Sequence, residues 1–304
     1  SKLHANKVYK EMFKNHKDTT MIINELVIQN FLSSLCKSYF LEIYDIYVSF
    51  DESNVAFPFF KNLNLILEIY PMNLKTYMNS ITNHTFYNIQ YISFQIVEAV
   101  YVMHSNGIIH RDIKLENILI DPVNLKIKII DFNQSTLILD NQHPFSNSEF
   151  RRSESVLNKS SSEHTQILGT RYYRAPEIIL LESYSAKIDV WSLGCVIWEL
   201  FGFLTSKNSK PLFFGVHCET ISPSNKENQL NLLNNKMSKT FLLKEEDQIF
   251  IILKKLGRQE EENFNFISNV HVRSTLIRQN LKNSESYLNN LKNVNNFQAD
   301  LLLK

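Results

Sequence analysis

Four clusters of side chains in this 304-residue chain stand out for the chemistry they could do. The first is His110-Arg111-Asp112-Ile113-Lys114-Leu115-Glu116-Asn117, and the second is Asp131-Phe132-Asn133. The third runs Gly169-Thr170-Arg171-Tyr172-Tyr173-Arg174-Ala175-Pro176-Glu177, and Asp189-Val190-Trp191-Ser192-Leu193-Gly194 follows. Asp112 is a carboxylate with an ammonium group, Lys114, two residues on and on the same side of a loop. Taken alone, an Asp-x-Lys pair is a solvated ion pair. Asn117 and Asp131 add hard oxygen donors of the kind that Mg²⁺ takes while keeping most of its water. One such triplet is weak evidence; four in this order carry an argument.

The elements that must hold these residues are partly readable. Met21 to Leu35 reads as a helix with Ile22, Leu26, Phe31 and Leu32 roughly on one face and Thr19 or Thr20 as N-cap. Tyr87 to Asn106 is a stronger helix: Ile89, Ile92, Ile96, Val100 and Met103 keep the 3.6-residue period, and Gly107 suits a left-handed C-terminal position. Val55 to Phe57 and Leu63 to Leu67 read as strands, as do Asn117 to Ile120 and Leu125 to Ile130 around the turn Asp121-Pro122-Val123-Asn124. Ala186 to Phe201 is apolar nearly all round, the pattern of a helix buried on every side. Residues 134–164 and 206–239 are rich in Ser and Asn and read as long inserts.

Composition narrows the function classes. Lys and Arg total 32 against 31 Asp and Glu, so the basic excess of a sequence-independent nucleic-acid binder is missing. With three cysteines the chain is no disulfide scaffold, and it has no CxxC pair to suggest zinc. Its longest apolar run, from Ser192 to Leu204, is too short for a membrane span and contains Glu199. We expect an intracellular globular protein, in the cytoplasm or nucleus, with no nucleic-acid or membrane partner. The start at Ser1 rather than Met is the mark expected of a fragment.

The order HRDxKxxN, D-F-x, A-P-E and D-x-W-x-x-G resembles that of the eukaryotic protein kinases. The resemblance implies a two-lobed α+β fold, with a partial β-rich N-lobe over residues 1–70 and a mainly helical C-lobe over 71–304. It also implies transfer of the γ-phosphate of ATP to Ser or Thr of protein substrates with Mg²⁺. Because that reaction develops charge on phosphate oxygens, positioning and electrostatics are the main tasks of the protein. Asp112 would orient the substrate hydroxyl and accept its proton. Lys114 would neutralise the transferring phosphoryl group, and Asn117 and Asp131 would hold the metal. Lys10, in the strand-like Lys7-Val8-Tyr9-Lys10, would bind the α- and β-phosphates while paired to Glu25. Leu65 to Leu74 resembles the hinge of cyclin-dependent and MAP kinases, with Leu67 as gatekeeper, the Glu68 carbonyl and Tyr70 amide on adenine, and Asn73 near the ribose.

Thr170 to Glu177 looks like the group uniting those kinases, and Arg174 would shape a pocket preferring proline after the phosphorylated residue; Thr170 would also face the substrate. MAP kinases are the nearest likeness, through Lys210 to Gly215, Glu246 to Gly257 and Glu260 to Arg278. An upstream activating kinase acting on Thr165, with Arg111 receiving the phosphate, is implied, as is a monomer.

The pattern also departs from the family. No glycine precedes Gly107, so a Gly-rich loop over the phosphates is missing. Asn133 replaces the usual Gly after Asp-Phe, a change that a left-handed position would tolerate. Thr165-Gln166-Ile167 lacks the tyrosine of the MAP-kinase activation motif, and Asn24 and Thr136 stand where two further phosphate-clasping arginines are usual. The resemblance implies an arginine that pairs with a buried Glu177, expected beyond the C-terminal end together with the late helices of the C-lobe. The rival reading is a catalytically weak pseudokinase acting as a scaffold.

Overall fold

The computed structural model describes residues 4–10, 16–50, 60–137, 169–204, 209–215 and 247–280. The expected strand at Val55 to Phe57 and the expected phosphorylation site Thr165 lie outside them. The chain divides into two compact units, residues 1–162 with 200–208, and residues 163–199 with 209–304. Helices and small antiparallel sheets share the chain, so it is α+β, as expected.

The first unit opens with a three-stranded antiparallel sheet in the order β1-β3-β2, from β1 (His4–Lys10), β2 (Ile43–Phe50) and β3 (Phe60–Glu68). In this register Lys10 faces Asn62, and His4 faces Glu68 at the end of β3. Between β1 and β2 runs helix α1, His16–Leu35. It starts upstream of the expected Met21, so Thr19 and Thr20 lie inside it rather than capping it. Its buried stripe is also rotated from the expected one. Ile22, Glu25, Ile28, Gln29 and Leu32 are buried, whereas Leu26 and Phe31 are only partly covered. Hydrophobicity could not place Glu25 and Gln29 inside, because a buried polar group depends on partners from elsewhere. Gln29 donates to the Leu41 carbonyl at 2.5 Å, twelve residues away.

After β3 come β4 (Met72–Asn73), α2 (Leu74–Ser80) and α3 (Phe86–Ser105). The periodic residues of α3 are the buried ones: Ile89, Ile92, Ile96 and Met103 have no exposure and Val100 3%. Thr85 caps the helix, its hydroxyl accepting from the Asn88 amide at 3.1 Å. Gly107 takes φ 72° beyond its end, as expected. β5 (Ile108–Ile109) then pairs with β8 (Thr136–Leu137), while β6 (Ile118–Ile120) and β7 (Ile127–Ile129) form a hairpin against β4. The start of the first expected insert is thus regular structure: Gln134 ends a 3-10 turn and Leu137 is buried.

The second unit contains α4 (Pro176–Ile179), most of α5 (Lys187–Gly202), α6 (Gln248–Leu256) and α7 (Val270–Asn280). α5 is not buried on every side, since Val190 is 54% exposed. An apolar residue on the outer face does not by itself cover that face. Residues 209–215, assigned by composition to the second insert, are anchored by apolar side chains: Leu212 and Phe213 are buried, and Phe213 stacks on Trp191 with ring centroids 5.2 Å apart. Glu177 is half-buried rather than buried, because the single turn of α4 leaves it toward the surface.

Candidate active site

The loop after β5 is shaped by two local features. Arg111 adopts φ 69°, a left-handed turn that a non-glycine residue takes only under outside constraint. Its Nε donates to the Gln134 carbonyl, so the guanidinium is anchored on the segment that follows Asp131. His110, with no exposure, supplies the second feature. Its Nδ1 accepts from the Asp112 amide at 3.2 Å. An N–H can only donate, so the proton of the neutral ring sits on Nε2, which lies 3.1 Å from the Ile130 carbonyl. The ring therefore ties the Asp112 backbone to the strand end before Asp131.

Asp112 is 5% exposed, and its Oδ2 receives Lys114 Nζ at 2.6 Å and Asn117 Nδ2 at 3.1 Å. Asn117 Nδ2 also donates to the Asp112 carbonyl at 2.9 Å. A buried carboxylate is costly to keep unpaired, and here both a cation and an amide meet it. The expected Asp-x-Lys pair is thus part of a buried network and not a solvated ion pair. The Nδ2 hydrogens being engaged on Asp112, Oδ1 is the Asn117 atom left for a cation.

Asn117 and Asp131 come together through the hairpin. With Ile118 facing Ile129, the ladder continues outward as a 3.0 Å bond from the Ile130 amide to the Asn117 carbonyl. Asn117 enters one strand and Asp131 leaves its neighbour, so antiparallel pairing sets an amide and a carboxylate on adjacent ends. Asp131 takes φ 73° and starts the 3-10 turn Phe132–Gln134. The left-handed residue is therefore Asp131, not Asn133, whose φ is not positive. Asn133 needs no special conformation, although its buried Oδ1 has no hydrogen-bond partner among the described residues. The donor set suits Mg²⁺, which needs only one or two protein oxygens; groups of three or more His, Cys, Asp or Glu able to hold a metal do not occur among the described residues.

Of the expected phosphate-binding pair, Glu25 lies in the buried stripe of α1 with 5% exposure, and Lys10 ends β1. The hinge-like residues 69–71 separate β3 from β4 and belong to neither. Burial, with Glu68 and Asp121 adding charge, pushes the Tyr70 phenol up to about 12, so it stays neutral through physiological pH. Asn73 has a structural task besides any ribose contact: its Oδ1 accepts from the Thr76 amide at 2.8 Å and caps α2. Beneath this segment sits a residue that sequence reasoning passed over. Lys128, 4% exposed, donates to Glu68 Oε2 at 2.5 Å. The one available signal was a lysine inside the run Ile127-Lys128-Ile129, and that run offers no hint of its partners.

In the second unit Thr170 precedes the 3-10 turn Arg171–Tyr173, which its carbonyl closes by accepting from Tyr173 N–H at 3.0 Å. Arg174 Nε donates to the Gly169 carbonyl at 2.9 Å, folding the guanidinium back on its own loop. Tyr173 is buried, and its hydroxyl donates to Glu199 on α5 at 2.6 Å. Burial, followed by the charge of Glu199, pushes the Cys195 thiol up, which leaves it unreactive.

Comparison with known proteins identifies the family. The protein kinase domain matches residues 1–267. A mitogen-activated protein kinase homologue of Nicotiana tabacum is 30% identical over 215 residues, covering 70% of this chain and 44% of the relative. Mitogen-activated protein kinase 2 of Arabidopsis thaliana is 30% identical over 211 residues, 69% of this chain and 42% of the relative. Mitogen-activated protein kinase 4 of Oryza sativa subsp. japonica is 32% identical over 177 residues, 58% and 39% respectively. The chain thus spans less than half the length of these relatives. With the match running over nearly nine-tenths of its residues, the chain belongs to the protein kinase family and resembles the MAP kinases within it.

Proposed function

We propose that the chain is the catalytic portion of a protein kinase that transfers the γ-phosphate of ATP to Ser or Thr of protein substrates, with a MAP-kinase-like preference for a following proline. The observation that carries this reading is the Asp112 carboxylate, held by Lys114 at 2.6 Å and Asn117 at 3.1 Å beside the strand end that presents Asp131. Asn117 and Asp131 would hold Mg²⁺, which when bound would neutralise charge on the phosphate oxygens. Asp112 orients the substrate hydroxyl and accepts its proton, and Lys114, already beside it, meets the charge that develops on the phosphoryl group. His110 keeps the Asp112 backbone in register with Ile130. Lys10 and Glu25 serve the phosphates. The Glu68 carbonyl, the Tyr70 amide and Asn73 serve the nucleoside. Arg174 and Thr170 serve the protein substrate.

The lobe boundary belongs near Tyr70, with the N-lobe over 1–70 and the C-lobe over 71–304. Thr165 is the activation site for an upstream kinase, and Arg111 receives its phosphate. We read the protein as a monomer acting inside the cell, in the cytoplasm or nucleus, where ATP and such a kinase are found, without nucleic-acid or membrane partners. Among the described residues, no helix is long and apolar enough to cross a membrane. The test is phosphate transfer from labelled ATP to a Ser/Thr-Pro protein substrate: transfer lost in Asp112→Asn with Mg-ATP binding retained supports the assignment, and transfer retained in that variant overturns it.

One observation favours the pseudokinase reading, namely Asn133 with its unpartnered buried Oδ1 where the family has Gly. Calorimetry separates the two: no Mg-ATP binding by the wild type but full binding by Asn133→Gly makes it a pseudokinase.

A further inference from the structure

A lysine buried to 4% exposure inside a strand is costly unless every donor is met. Lys128 meets all three. Its ammonium donates to the carbonyls of Lys37 at 2.7 Å and Phe40 at 3.1 Å and to Glu68 Oε2 at 2.5 Å. The Tyr70 ring centroid lies 5.4 Å from the same nitrogen, within cation–π range. The loop that offers the two carbonyls is itself stitched to β7. Phe40 bridges Ile129, and the Ile129 amide donates to the Tyr39 carbonyl at 2.9 Å. The fully buried Phe40 packs on Phe132 at 6.1 Å between ring centroids, and Phe132 lies 5.1 Å from His110.

The placement of the tether matters. The β3 ladder ends at Glu68, whose amide reaches the Glu42 carbonyl at 3.1 Å, and residues 69–71 belong to no strand. The Glu68 side chain is 30% exposed and would be free to turn to water without a cation beneath it. We infer that Lys128 is the positioning residue of the nucleotide pocket: by gripping Glu68 and underlying Tyr70 it fixes residues 68–70 relative to the strand that ends at Asp131. Adenine contacts and metal ligand are thereby referred to one buried charge. This inference rests on reading residues 68–70 as the adenine-contacting segment.

The test uses the whole chain with Glu68→Gln, Lys128→Met and the double variant. Two readouts are taken: amide hydrogen exchange of Ile69 and Tyr70 without nucleotide, and Mg-ATP affinity by calorimetry. Loss of a charge-assisted bond predicts that Glu68→Gln speeds exchange at Ile69 and Tyr70 about tenfold and weakens Mg-ATP by a similar factor. In turnover, the KM of ATP should rise by more than kcat falls, and the double variant should bind no more weakly than Lys128→Met, since the two side chains act as one unit. Should Lys128→Met fail to fold, Glu68→Gln decides alone. Unchanged exchange at Ile69 and Tyr70 together with unchanged or tighter Mg-ATP binding in Glu68→Gln overturns the inference. If the wild type binds no Mg-ATP, the kinase reading falls, and exchange at Ile69 and Tyr70 alone decides the tether.

Discussion

The network around Asp112 and the tether around Lys128 are both buried, polar and hydrogen-bonded, yet they are built on opposite principles. In the first, Lys114 reaches Asp112 from two residues away, Asn117 from five, and His110 reaches Ile130 across twenty. In the second, Lys128 reaches partners separated from it by 60, 88 and 91 residues. One short hairpin and left-handed turns at Arg111 and Asp131 suffice to assemble the first. The second exists only after α1, its following loop, β3 and β7 have all been placed. A network closed over short loops orders few residues, whereas one closed over long loops draws its stability from the packing that surrounds it. The local network should therefore govern chemistry, and the distant one should govern stability and nucleotide geometry.

That contrast breaks if variants in the two regions behave alike. The largest effect is expected from Asp112→Asn and Asp131→Asn, which should lower kcat by roughly 10²- to 10⁴-fold, the range for loss of a positioned proton acceptor or its electrostatic partner. Single-turnover transfer from ATP measures this directly. Lys128→Met should instead act on folding and cost roughly 3 kcal/mol. This is the low end for opening a buried pair, because the partly exposed Glu68 can still find water; the urea midpoint reads it. If Lys128→Met leaves that midpoint in place, the distant network is ornamental.

Asn73→Ala should cost about 1 kcal/mol through the lost cap of α2, and Asn73→Asp should restore it, since the carboxylate also accepts from the Thr76 amide. Hydrogen exchange across residues 74–80 reports the cap, and ATP affinity reports any separate ribose contact. Asn133→Gly should change turnover least, keeping or slightly raising it, because Asn133 lies in an ordinary 3-10 turn and the left-handed residue is Asp131. A large loss in this variant would move Asn133 into the working machinery.

Helix α3 was legible because its cues are local. Its apolar period and Gly107 behind it both act within a few turns of chain. The β6–β7 hairpin was legible for the same reason, its turn residues sitting between two short isoleucine-rich runs. The start of α1 was misplaced because Lys, Asp and Thr tolerate a first helical turn, so a polar stretch does not mark where the helix begins. Its buried face was misjudged because Gln29 is held inside by a carbonyl from the loop that follows the helix.

The same division runs through the site. Residue types and their order were enough to show the likeness to protein kinases, which implied that Asp112, Lys114, Asn117 and Asp131 work together. The likeness was legible because the family's motifs are runs of neighbours. The structure bonds Lys114 and Asn117 to Asp112 and pairs the strand ends that carry Asn117 and Asp131. Tertiary structure alone decided that His110 locks the Asp112 backbone, that left-handed strain falls on Asp131 rather than Asn133, and that Lys128 lies beneath Glu68 and Tyr70. The physical reason is that a buried charge is tolerable only where distant carbonyls and carboxylates converge on it, and convergence over such separations is a property of the packed chain.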